Sequence, residues 1–264
     1  MHQGEGRNEE ALGLGGADPG RRPEPTVSVV IPTVRPDLVV GALASVAAQT
    51  WRGALEVLVV HDGKAPLALG SWPFAVRALA TPQRRGPGAA RNFGVHHADG
   101  SLLAFLDDDD RWMSDHLATT VPVAAAAPAI VFTDALVHHR EEGWTRPFRP
   151  RAAPDVLDRT NPVILSTVVV QRSAFCRVDG FDPSLPRYED WDWLLRSRAA
   201  GILIRAIPTA TVLYNFSARS LSADGAAMAR TFSRFCARHG LHDLPVTNFA
   251  QMAQQRDPTL VRVP

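Results

Sequence analysis

Apolar residues fall into short, fully apolar runs separated by helix-spaced segments. Residues 27–31 form a β-branched run interrupted only by Ser28 and closing at Pro32, residues 37–49 carry apolar side chains at helical spacing, and 55–60 is a second apolar run with one polar residue, Glu56. Strands apolar on both sides, alternating with helices, predict a parallel sheet covered on both faces. A third strand is predicted over 75–80, a helix over 87–97 opened by Gly86 and Pro87, and a strand over 102–106 that runs straight into four aspartates, Asp107 to Asp110. This first half has the βαβαβ layout of nucleotide-binding sheets.

Strand-like runs continue over 129–137 and 167–171, but the regular alternation with helices is lost, so a mixed sheet is expected there. A helix over 191–200 ends at Gly201, strands follow over 202–207 and 211–214, and a closing helix over 225–238 ends at Gly240. The fold class is therefore α/β, one domain with a Rossmann-like parallel and mixed sheet and helices on both faces. Residues 1–25, rich in Gly, Arg and Glu, are expected to be disordered; 26–222 form the body, and 223–264 a terminal helix and tail.

Composition narrows the function classes. With 45% hydrophobic and 21% charged residues the chain can bury a core, and a net charge of +1 gives no general basic field for nucleic acid or an anionic membrane. Cys176 and Cys236 stand far apart and in no zinc-like spacing, which suits a reduced, cytoplasmic setting. The most apolar stretch, 121–132, is broken by Pro122 and Pro128 and is too short to span a bilayer.

Ligands of open parallel sheets bind beyond the carboxyl ends of the strands, which directs attention to Pro32 and Thr33, to His61 and Asp62, and to the aspartate run. Four consecutive aspartates repel one another unless solvent, a partner or a cation relieves them. An Asp-x-Asp pair there suits a hard divalent ion completed by diphosphate oxygens; the alternative is a solvated turn with Asp110 capping the next helix. Arg91, on the helix before this strand, could reach a phosphate or hold an aspartate. Glu189, Asp190 and Asp192 open a helix, where they either favour its dipole or supply a general base.

The segments Val29-Val-Ile-Pro-Thr33, Ala89-Ala-Arg-Asn-Phe-Gly94, Phe105-Leu-Asp-Asp-Asp-Asp110 and Gly180-Phe-Asp with Glu189-Asp-Trp-Asp192 resemble, in this order, family 2 of the inverting glycosyltransferases. The resemblance implies a GT-A-type fold and a metal-dependent transferase that moves a sugar from a nucleotide-diphospho-sugar to the hydroxyl of a small molecule or glycan. On that resemblance Pro32, Thr33, His61, Asp62, Arg91, Asp107 and Asp108 face the nucleotide. Asp109 is the direct ligand of a Mg²⁺ or Mn²⁺ ion, with Asp107 as the other member of the pair, and Asp190 is the base.

Two departures stand out. The family usually carries Asp-Asp where this chain has His61-Asp62, the first contacting uracil, so a uridine donor is doubtful and guanosine or thymidine nucleotides are open. Residues 213–217 lack a histidine that many members carry, so any metal or phosphate contact made there is missing or replaced. The second reading on the same scaffold is a flavin-independent nucleotide-sugar mutase, encouraged by how little chain follows Tyr214.

Overall fold

The computed structural model describes residues 26–63, 65–150, 154–217 and 225–245; the expectation of disorder for 1–25 and the tail beyond 245 lie outside the described residues. The elements run β1 (Val27–Thr33), α1 (Pro36–Ala47), β2 (Leu55–His61), β3 (Ala75–Ala80), α2 (Pro87–His97), β4 (Leu102–Phe105), β5 (Arg111–Trp112), α3 (His116–Ala126), β6 (Ala129–His139) and β7 (Trp144–Phe148). There follow α4 (Pro154–Leu157), a 3₁₀ turn at Leu165–Thr167, β8 (Val169–Gln171), α5 (Arg172–Cys176), α6 (Glu189–Ala199), β9 (Leu203–Phe216) and α7 (Gly225–His239).

One mixed sheet results, in the order β3-β2-β1-β4-β8-β6-β9-β5, with β7 paired to β6. The β3, β2, β1 and β4 strands are parallel, as the apolar runs predict, and β8 enters antiparallel to both β4 and β6. Alternate residues of each central strand feed two different cores. Val30, Leu58, Val60, Leu103 and Phe105 meet α2, α6 and α7 on one face; Val29, Ile31, Val57, Val59 and Ala104 meet α1 and α3 on the other. Period-2 geometry thus explains why these strands carry apolar residues on both faces.

Three details differ from the sequence reading. The strands expected over 202–207 and 211–214 are one long β9, whose register against β6 slips between Thr133 and Ala135, at the stretch that includes Pro208. Pro122 does not interrupt the chain but sits inside α3 on its exposed side, where the lost N–H costs one helix bond. Met228, Phe232 and Phe235 of α7 are buried in the same core as α6, so this terminal helix packs as part of the body.

Two local arrangements set up the site. Gly94 lets α2 lie directly on β1 and β2, because a Cβ there would come within 2.5 Å of Val30 and 3.0 Å of Val60. Tyr188 takes a left-handed conformation (φ 63°) just before α6, with its ring packed on Phe232 and Phe235 of α7. That turn brings the first residues of α6 to the sheet edge.

Candidate active site

Beyond the carboxyl ends of the parallel strands lies a cavity of about 570 Å³, within the usual size of small-molecule sites. Pro32 and Thr33 of β1, Asp62 after β2, Arg91 of α2, Asp107, Asp108 and Asp109 after β4, and Asp190 of α6 all line it. Residues from five parts of the chain are thereby brought to one space.

The four aspartates have different surroundings. Asp107 is paired to Arg91, a guanidinium buried to 3% exposure that also lies 3.7 Å from Glu189 and over the ring of Phe181. Asp108 is buried and accepts a hydrogen bond from Thr33 Oγ1 at 2.6 Å and another from Arg35. Asp109, half-buried, accepts from Arg35 Nη2 at 2.9 Å. Asp110 turns away from the cavity and accepts from Ser166 Oγ at 2.5 Å and from the Asn215 backbone N–H at 2.8 Å. It is not the helix cap considered from sequence, because β5 follows it and the residue before α3 is Asp115.

Burial pushes Asp108, Asp109 and Asp110 above the ordinary carboxylate range; the Asp107 charge adds to this at Asp109 and at Asp110, which is raised the furthest. Asp107 and Asp109 both face the cavity with hard oxygen donors, a set that fits Mg²⁺ or Mn²⁺ when diphosphate and water complete the shell. Among the described residues no group of three or more His, Cys, Asp or Glu could hold a metal ion alone.

At the start of α6, Asp190 accepts from Asn161 Nδ2 and from the Trp191 N–H, each at 2.7 Å. Burial raises its carboxyl, against the pull of the Trp191 N–H and Arg91. Glu189 is pushed up to about 7, by burial first and then by the Asp190 charge. Asp192 takes no part in the cavity; it is fully buried, pairs with Arg196 one turn along α6, and joins α6 to α7 through Arg238 and His239. The acidic start of α6 thus divides into a cavity-facing pair and a structural anchor.

His61 and Asp62 part company. The His61 ring is buried, bonds the Ala65 carbonyl at 2.9 Å through Nδ1, and is not in the cavity wall. Asp62 lines the cavity but accepts from Thr81 Oγ1 and from the backbone N–H groups of Arg85 and Gly86, fixing the loop that starts α2. Where the family's histidine was missing, Asn215 donates its side-chain amide to the Asp109 carbonyl at 2.6 Å and its backbone N–H to Asp110, bracing the aspartate run.

Arg35, Asn161, Ser166 and Asn215 escaped the sequence reading. Arg35 had a usable signal, standing two residues beyond the first strand end. Asn161 and Ser166 lie in the irregular 158–168 segment, where no periodicity marks a side chain's direction.

The family model described as "Glycosyl transferase family 2" matches residues 28–181, more than half the chain. The "Uncharacterized glycosyltransferase YwdF" of Bacillus subtilis (strain 168) is 28% identical over 242 residues, covering 87% of this chain and 90% of that protein. The "Pre-mycofactocin glycosyltransferase" of Mycobacterium tuberculosis (strain ATCC 25618 / H37Rv) is 31% identical over 176 residues, covering 61% of this chain and 37% of that protein. Among solved structures, the mannosyltransferase PcManGT from Pyrobaculum calidifontis in complex with GDP-Man and Mn²⁺ superposes with a TM-score of 0.60 at 21% identity, covering 87% of this chain and 67% of that one. S. aureus TarS 1-349 in complex with UDP-GlcNAc superposes with a TM-score of 0.57 at 17% identity, over 72% and 58% of the two chains. Both superpositions agree with a GT-A fold. The chain is a glycosyltransferase and belongs to glycosyl transferase family 2.

Proposed function

We propose that the protein transfers a glycosyl group from a nucleoside diphospho-sugar to an acceptor hydroxyl, with inversion and with the help of Mg²⁺ or Mn²⁺. The observation that carries this reading is the single cavity that holds both the Asp107–Asp109 wall and Asp190, with Arg91 reaching Asp107 on one side and Glu189 on the other. Solved proteins of the same fold bind donors of this class: one is in complex with GDP-Man and Mn²⁺, another with UDP-GlcNAc.

Pro32, Thr33, Asp62 and Asp108 form the nucleotide side of the cavity, while His61 acts from behind it through its bond to the Ala65 carbonyl. A divalent cation, when bound, neutralises charge on the departing diphosphate. Asp190 accepts the proton of the acceptor hydroxyl as that oxygen bonds to the anomeric carbon, and the nucleoside diphosphate leaves from the opposite face, so one displacement inverts the centre. Asn161 holds the Asp190 carboxylate in position for this.

The test is a panel of nucleoside diphospho-sugars incubated with Mg²⁺, Mn²⁺ or chelator, with and without acceptor hydroxyls. Metal-dependent nucleotide release that requires an acceptor is the expected result. Release indifferent to chelator removes the cation from the scheme, and acceptor-free isomerisation of the donor replaces transfer by ring interconversion.

A further inference from the structure

Residues 33–36 join β1 to α1, and Pro36 fixes the backbone where the helix begins. Arg35 donates its own N–H to Thr33 Oγ1 at 2.9 Å and lays one nitrogen, Nη2, across Asp108 and Asp109. A monovalent cation of the chain itself is thus bonded to Asp109, the carboxylate that the proposed divalent ion needs.

The charged groups facing the aspartate run are not equivalent. Arg91 is buried between Asp107 and Glu189 and cannot leave without stranding both carboxylates. Arg111 and Arg140 bond backbone carbonyls of the run rather than its carboxylates. Arg35 alone among these lies on the carboxylates with a side chain open to solvent, 42% exposed. Its departure would still leave Asp108 its bond from Thr33.

We propose that Arg35 is a built-in counter-cation that guards Asp109 in the nucleotide-free protein and passes to the donor's phosphates when the divalent ion arrives with them. This rests on the metal-dependent reading of the cavity. A guanidinium and a divalent ion on the same carboxylate repel each other, so the free ion is held off. A diphosphate removes the conflict by accepting the arginine, often by two parallel bonds, while it also ligates the ion. Ion and nucleotide then bind with positive coupling, and each must strengthen the other by the same factor.

The experiment compares the unaltered protein with Arg35→Gln and Arg35→Lys, following Mn²⁺ alone by the electron-spin signal of the free ion, and GDP and UDP by calorimetry with and without Mn²⁺. Arg35→Gln is expected to bind Mn²⁺ alone roughly tenfold more tightly and to lose roughly tenfold of the enhancement that Mn²⁺ gives to nucleotide binding, within the ordinary range of coupling between sites. Arg35→Lys, which keeps the charge, should return both values towards the unaltered protein. Unchanged or weaker Mn²⁺ binding by Arg35→Gln overturns the guard, and unchanged enhancement overturns the transfer to phosphate. If the unaltered protein binds neither diphosphate with Mn²⁺ dependence, the metal reading itself fails and the proposal with it; this result appears without any variant, so the two failures are distinguishable.

Discussion

Changing Asp190 to Asn separates chemistry from binding and from stability. The carboxylate accepts two bonds, from the Trp191 N–H on Oδ1 and from Asn161 Nδ2 on Oδ2. An amide supplies one acceptor and one donor, so one of those partners meets a donor. Asn161 cannot turn to compensate, because its own carbonyl oxygen accepts from the Val163 N–H at 3.0 Å. Losing one bond to a charged acceptor costs about 1.5–3 kcal/mol. Against that, the substitution removes a carboxylate whose ionisation burial opposes. The two offset, and a urea midpoint is expected to move by no more than about 1–2 kcal/mol equivalent. Turnover, measured as nucleotide released in the presence of acceptor, is expected to fall roughly 10²–10⁴-fold, because a general base acts in the transition state. The donor dissociation constant, measured by calorimetry, should hold. Full turnover in Asp190→Asn, or a loss of donor affinity as large as that of Asp109→Ala, would refute the assignment of the base.

The pH dependence of stability follows from Glu189. Its ordinary 4.5 is pushed up to about 7 in the folded protein, so between those values the native state holds a proton that the unfolded chain has released, and stability falls as pH rises through the window; urea midpoints from pH 4.5 to 8 should show a slope that Glu189→Gln lacks, and identical slopes would reject it. With the Asp62 carboxylate spent on the 81–86 loop and His61 turned to Ala65, uracil meets no free carboxylate at this strand end. In competition among the uridine, guanosine and thymidine diphosphates, UDP is therefore expected not to win, and a clear UDP preference would overturn that reasoning. Gly94→Ala presses a methyl group onto Val30 and Val60 and should destabilise by about 1–3 kcal/mol with an unchanged denaturant slope; a midpoint like the parent's would mean that α2 can rise off the sheet at no cost.

By itself the sequence determined what depends on neighbours along the chain. Strands β1, β2 and β4 and helix α2 were legible because both-sided burial leaves a largely apolar run and because Gly86-Pro87 punctuates a helix start; the edge strand β3, none of whose residues is buried, was legible from its short apolar pattern alone. Since strand ends define the edge of an open sheet, Pro32, Thr33, Asp62, the aspartate run and Asp190 could be nominated from the sequence, the last with the help of a resemblance. The tertiary structure alone decided how those nominations divide. One register of β9 against β6 carries Asn215 to Asp110, and one left-handed residue, Tyr188, turns Glu189 and Asp190 to the cavity while Asp192 goes to α7. The joining of β9 into one strand and the direction of Asn161 rest on contacts between residues far apart in the chain, which leave no period in the sequence. For the same reason four adjacent aspartates look alike on paper. In the fold, Arg91, Thr33, Arg35 and Ser166 reach them from three separate segments and give each a different set of partners.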